Sequence, residues 1–153
     1  MADDATAVAA LSLRLSRLVS APLNPSYSPN EIAFYLKDTA SSLLLVPAGT
    51  LSASGAKLPP TVQAARECNV PLAEVVFNPA AAHGRGALEL VFEVGKKAVR
   101  VGRGKVRAPQ AKDVALVLHT SGTTGRPKAV PLSHLNLTTT MRNIINTVSC
   151  LPS

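Results

Sequence analysis

The spacing of apolar positions changes along the chain, and each change predicts an element. In residues 1–20, Leu11, Leu15, Leu18 and Val19 fall at helical spacing with Arg14 and Arg17 between them. An Arg-, Ser- and Ala-rich amphipathic start suits a mitochondrial presequence. Asp3 and Asp4 are acids that such peptides avoid, so a surface helix or loosely held tail is the preferred reading. Residues 21–27 (APLNPSY) form a Pro-rich turn. A capping box then opens a helix, with Ser28 as N-cap, Pro29 in first position and Glu31 three residues after the cap. Ile32, Tyr35 and Leu36 share one face of it. Residues 42–46 (SLLLV) predict a short buried strand, residues 60–69 a helix opened by proline and closed by asparagine, and residues 73–77 (AEVVF) another strand.

Residues 80–86 have the composition of a surface loop. Residues 88–94 (LELVFEV) alternate with period two, Gly95-Lys96-Lys97 supplies a turn, and residues 98–101 return, which predicts a basic β-hairpin. Residues 113–119 (DVALVLH) are almost continuously apolar, as expected of a strand buried on both faces. A Gly/Ser/Thr loop follows at 120–128, then a short strand at 130–132. Ser133 is the candidate N-cap of a last helix that carries Leu137, Met141, Ile144, Ile145 and Val148 on one face. No internal repeat is present. Helices alternating with short apolar strands predict a layered α/β fold.

Composition narrows the class. The chain has 153 residues, 46% of them apolar and 16% charged, which is the profile of a globular domain. No apolar run approaches the roughly 18–20 residues of a membrane span. Cys68 and Cys150 are read as reduced thiols, and His83, His119 and His134 stand alone, without the spacing of a zinc site. The formal charge of +7 is concentrated: seven cations and no acid lie in residues 96–112, and the rest of the chain holds nine basic and nine acidic residues. Such a segment could neutralise several phosphates of a nucleic acid. It has no interleaved aromatics for base stacking, so a solvated, variable linker is the preferred reading and nucleic acid is not the expected partner.

The loop Thr120-Ser121-Gly122-Thr123-Thr124-Gly125-Arg126-Pro127-Lys128 has what a polyphosphate needs. Gly122 and Gly125 let backbone N–H groups approach an anion closely. Thr120, Ser121, Thr123 and Thr124 supply uncharged donors, and Arg126 and Lys128 neutralise phosphate. The loop follows a buried strand, where open α/β sheets place ligands. It is not a Walker loop, because Pro127 stands where the glycine before the lysine is required, and no complete G-x-G-x-x-G is present.

From Leu118 to His134 the string LHTSGTTGRPKAVPLSH resembles the phosphate-loop signature of the adenylate-forming, acyl-activating enzymes. That family includes acyl-CoA synthetases, 4-coumarate–CoA ligases, luciferases and peptide-synthetase adenylation domains. Residues 21–27, Glu31 and Phe34-Tyr35-Leu36 are similar to the segment these enzymes carry upstream. With the Leu-His before the motif and the Asn-Leu after it, they resemble the oxalate–CoA ligase-like, peroxisomal acyl-CoA synthetase-like branch. The resemblance implies a two-step ligase. A carboxylate attacks the α-phosphate of Mg·ATP to give acyl-adenylate and pyrophosphate, and the thiol of CoA then displaces AMP. It implies that Ser121, Gly122, Thr123, Thr124, Gly125 and Lys128 hold the β- and γ-phosphates. Ala129 stands where the family most often has glycine.

The resemblance also sets limits. Members run several hundred residues beyond this loop, through an adenine-side motif, a ribose-binding aspartate, a hinge and a C-terminal domain with the adenylation lysine. None of these is in the sequence, so no catalytic residue is assigned. The expectation is an internal fragment of the large N-terminal domain: residues 1–20 a poorly defined segment, residues 21–153 a partial AMP-dependent synthetase/ligase domain. ATP and CoA binding by such a fragment is expected to be weak or absent. Exposed sheet edges and apolar faces would favour self-association. Leu151-Pro152-Ser153 is not a peroxisomal address of the Ser-Lys-Leu type, which makes the cytoplasm the default location, with the peroxisome open for full-length relatives.

Overall fold

The computed structural model describes residues 17–52, 58–78, 87–92, 107–120 and 127–149. They fall into two compact units, one holding the described residues from Leu23 to Phe92 and the other residues 17–22 and 107–149. Of the predicted helical start, residues 1–16 lie outside the described residues, while Leu18 and Val19 are not helical, because the chain there runs into the Ser20 bridge. The loop at 80–86, the return arm at 98–101, most of the basic segment, and Cys150 to Ser153 also lie outside the described residues.

The first unit begins with helix α1 (Pro29–Asp38). The Ser28 amide and hydroxyl donate to Glu31 Oε2 at 2.8 and 2.7 Å, and the Glu31 amide donates back to Ser28 Oγ at 3.4 Å. This is the predicted capping box, and both Ser28 hydrogen bonds hold the Glu31 carboxyl below its ordinary range. The helix ends on Ala40, whose φ is +47°. The Ser41 amide reaches the Leu36 carbonyl and the Ala40 amide the Lys37 carbonyl, which is the Schellman closure. Strand β1 (Leu44–Pro47) therefore starts two residues later than its apolar run predicts.

Helix α2 (Pro60–Glu67) ends by the same device, with Asn69 at φ +54° and the Val70 amide on the Ala65 carbonyl. Asparagine tolerates this conformation, which is why it closes the predicted helix. Strand β2 (Leu72–Asn78) then pairs parallel to β1, with Leu44 opposite Leu72. Strand β3 (Ala87–Phe92) pairs antiparallel to β2, giving the order β1-β2-β3. The period-two run thus finds its partner upstream. Ile32, Leu36, Leu44, Val46, Val62, Ala64, Ala65 and Leu72 form the core, with Ile32 2% exposed. Within it Glu74 is buried and its carboxylate accepts the Leu51 N–H, pinning the turn after β1. Gly49, at φ +85°, takes the position in that turn that favours glycine.

The second unit is a β-hairpin followed by a helix: β4 (Val114–Thr120), β5 (Lys128–Ser133) and α3 (His134–Ser149). Antiparallel pairing runs from Val114 opposite Ser133 to Thr120 opposite Lys128, with a bulge between Val114 and Leu116. The short strand predicted at 130–132 is extended at both ends. On the other side of β4, Ser20 adds a parallel bridge, its amide on the Ala115 carbonyl and its carbonyl on the Val117 amide. The small open sheets and flanking helices agree with the α/β class predicted.

One expectation about burial needs correction. Ala115 and Leu116 are buried, but Leu118 is 40% exposed and Thr120 is exposed, so β4 is not covered on both faces along its length. Ser20 pairs with its first half on one edge, and β5 runs along the other edge for the length of the strand. Helix α3 presents Leu137, Met141, Ile144, Ile145 and Val148 on one face, as predicted, yet none of its residues is buried. Cys68 is a free, half-buried thiol whose Sγ lies 3.6 Å from the Ala33 carbonyl.

Candidate functional site

The candidate site is the connection between β4 and β5. Thr120 is the exposed last residue of β4 and Lys128 the exposed first residue of β5, and the register sets them opposite each other. Ser121, Gly122, Thr123, Thr124, Gly125 and Arg126 lie outside the described residues. The described geometry fixes the mouth of the loop: two strands, hydrogen-bonded to each other, enter and leave at the same end. After the loop the chain continues into a strand, as the sequence predicts, and reaches a helix only at His134.

Contacts far apart in sequence hold the base of this hairpin. The Arg17 guanidinium grips the Asp113 carboxylate with two of its nitrogens, Nη2 to Oδ1 at 2.9 Å and Nε to Oδ2 at 2.8 Å. Asp113 Oδ2 also accepts the Gln110 amide at 2.8 Å, and the Asp113 carbonyl accepts the His134 amide at 3.0 Å. The Gln110 N–H, first of all, holds the Asp113 carboxyl below its ordinary range; burial opposes this, and the Arg17 hydrogen bond and charge add to the lowering. One aspartate thereby joins residue 17, the 110–113 turn, the start of β4 and the first turn of α3. Sequence reading assigned Arg17 to a loose amphipathic start and missed this junction; the signal was a lone Asp immediately before an apolar strand.

At the other end of β5, the Ser133 amide and hydroxyl donate to Asn136 Oδ1 at 2.9 and 2.7 Å, and the Asn136 amide donates to Ser133 Oγ at 3.2 Å. Ser133 is the N-cap that the sequence predicts, with asparagine taking the part glutamate plays at α1. His134 Nε2 is buried and has no hydrogen-bond partner among the described residues. Also among the described residues, no three of His, Cys, Asp and Glu come together as metal ligands, and no helix is long and apolar enough to cross a membrane.

The AMP-binding enzyme family model matches residues 5–152. The chain belongs to this family. It is 33% identical over 158 residues to an oxalate–CoA ligase of Saccharomyces cerevisiae, a match covering 95% of this chain and 28% of that protein. An oxalate–CoA ligase of Arabidopsis thaliana is 34% identical, covering 88% of this chain and 24% of its own length. The chain thus spans about a quarter of the curated relatives it matches. Among solved structures, MatB from Rhodopseudomonas palustris shares the fold at a TM-score of 0.61 and 21% identity, over 93% of this chain and 25% of that one. A malonyl-CoA ligase with methylmalonyl-CoA and AMP bound is similar at a TM-score of 0.56 and 28% identity, over 92% and 24%. The adenylate-forming, CoA-ligase ancestry read from residues 118–134 is therefore established, and ATP and CoA are the co-substrates of that family.

Proposed function

We propose that this chain carries the ATP phosphate-binding loop of an AMP-forming acid–CoA ligase, with residues 21–153 part of its large N-terminal domain. The observation that carries the reading is the sequence of residues 120–128 mounted on a hairpin whose two strands meet at Thr120 and Lys128. In this reading the hydroxyls of Thr120, Ser121, Thr123 and Thr124 donate to the β- and γ-phosphate oxygens. Gly122 and Gly125 let the backbone N–H groups join them, and Arg126 and Lys128 balance the charge. Magnesium arrives with the nucleotide. When a carboxylate oxygen bonds to the α-phosphorus, the bond to the bridging oxygen breaks and negative charge moves onto pyrophosphate. Donors aimed at that leaving group stabilise the transition state more than the ground state. The relatives' names, oxalate–CoA ligase and malonyl-CoA ligase, make a small dicarboxylate the first acid to test.

The chain by itself is proposed to bind nucleotide weakly and to form no acyl-CoA. Catalysis needs acid, α-phosphate and thiol held together, and that positioning supplies much of the barrier reduction in a bimolecular step. The test uses the purified 153-residue chain. Titration with Mg·ATP is expected to give weak saturable binding that Lys128→Ala reduces about tenfold or more, the loss of one charge-assisted contact. Binding that ignores Lys128→Ala refutes the loop assignment. Release of AMP from oxalate, Mg·ATP and CoA above the level of Lys128→Ala refutes the claim of inactivity.

A further inference from the structure

We propose that Arg17 and Asp113 are a positioning pair for nucleotide binding: clamped at the base of the β4–β5 hairpin, they set the direction in which it presents Lys128. The inference rests on the reading of residues 120–128 as a phosphate loop. A two-stranded ribbon is marginal on its own, and among the described residues this one is buried at one end only. Ala115 and Leu116 are buried at its base, whereas Leu118 and Val130, paired near the loop, are exposed. The end that carries Lys128 therefore takes its direction from the base.

At that base the Asp113 carboxylate has both oxygens engaged, Oδ1 by Arg17 Nη2, and Oδ2 by Arg17 Nε and the Gln110 amide. The same turn receives α3, through the His134 amide on the Asp113 carbonyl at 3.0 Å and the Leu135 amide on the Ala111 carbonyl at 2.9 Å. Arg17 stands at φ +58°, a left-handed backbone that disfavours a residue with a Cβ and persists where its surroundings impose it. Glycine would suit that φ, yet the position holds an arginine whose guanidinium closes two hydrogen bonds on the carboxylate. Three residues on, the Ser20 amide and carbonyl bond to Ala115 and Val117 of β4. The ion pair and the bridge thus hold the start of β4 at two points. Exposed ion pairs usually contribute little, but a bidentate arginine–carboxylate pair with side chains 35% and 23% exposed is the favourable case. Without it, only a fraction of molecules holds the hairpin in the binding direction, and apparent affinity falls by that fraction.

The test is titration of the 153-residue chain with Mg·ATP. Arg17→Met, which keeps the stem and removes the charge, is expected to weaken binding about threefold, and Arg17→Gly by as much. Arg17→Lys, which keeps the charge without the fork, is expected to lose less. Far-ultraviolet dichroism is expected to show α3 intact in all three. The combination Arg17→Met, Lys128→Ala is expected to bind no more weakly than Lys128→Ala alone, because Arg17 acts through the aim of Lys128. Wild-type affinity in Arg17→Met beside a weakened Lys128→Ala overturns the proposal and leaves the loop assignment standing. A Lys128→Ala without effect removes the loop assignment, and the proposal with it. Wild-type affinity in Arg17→Gly overturns it by reducing position 17 to a bend of the backbone. Loss of α3, or additive losses in the double variant, overturns it by making the pair a support of the fold at large.

Discussion

Replacing Ala40 by glycine is expected to stabilise the first unit, although glycine weakens most positions in and around helices. Ala40 sits at φ +47° where α1 closes, its amide and that of Ser41 bonded back to Lys37 and Leu36. A left-handed conformation costs a residue with a Cβ about 1–2 kcal/mol. Glycine avoids that cost and loses about 0.5–1 kcal/mol through the greater freedom of its unfolded chain. The Ala40 side chain is exposed, so its removal leaves no cavity. The net expectation is a gain of about 0.5–1 kcal/mol, a rise in urea midpoint of about 0.3–0.5 M. The chain carries an optical probe for this region. Its two tyrosines, Tyr27 and Tyr35, stack at 4.9 Å beside α1, and it has no tryptophan, so intrinsic fluorescence follows this unit alone. Asn69→Gly, at the equivalent position of α2, is expected to change the midpoint by less than half as much. An unchanged or lowered midpoint for Ala40→Gly would refute the strain argument.

Two further expectations rest on α1. Ser28→Ala is expected to cost about 1 kcal/mol by removing the N-cap. Because the folded Glu31 carboxyl titrates lower than the unfolded one, the cap stabilises fully above the ordinary glutamate range and fades as pH falls through it. The gap between wild type and Ser28→Ala should therefore shrink on acidification, and a constant gap argues against the Glu31 contribution. The Tyr35 hydroxyl is pushed up to about 12, first by its hydrogen bond with Tyr27 and then by burial. Its stabilising effect is complete below pH 10 and is lost as pH rises toward 12, and Tyr27→Phe should bring its phenolate absorbance back toward the ordinary range.

What was legible in the sequence was local. The capping box at Ser28, the asparagine stop at Asn69 and the N-cap at Ser133 each depend on residues within a few positions, and all three stand where the pattern predicts. The loop chemistry was equally legible as a string. Its mounting was not: β5 begins at Lys128, two residues earlier than its apolar run suggests, because ladder pairing with β4 extends through Lys128 regardless of side chain. Arg17 and Asp113 lie 96 positions apart, beyond any spacing rule. The partnership of β2 with β3 crosses the connection 79–86, too long for a hairpin signature. The stripe on α3 was read correctly as periodicity, but periodicity states which residues share a face, not what covers it.

The strand that follows the loop has an electrostatic consequence. Many phosphate loops run straight into a helix and draw on the partial positive charge of its first turn. Here β5 intervenes, and α3 begins at His134, after six strand residues, close to 20 Å of extended chain. The field of a helix end fades within a turn, so it contributes nothing at Lys128. On the proposed assignment, charge attraction for a triphosphate then comes from Arg126 and Lys128, which salt screens over about 8 Å at physiological strength. Nucleotide capture by this hairpin is accordingly expected to weaken with ionic strength more steeply than capture by a loop seated on a helix.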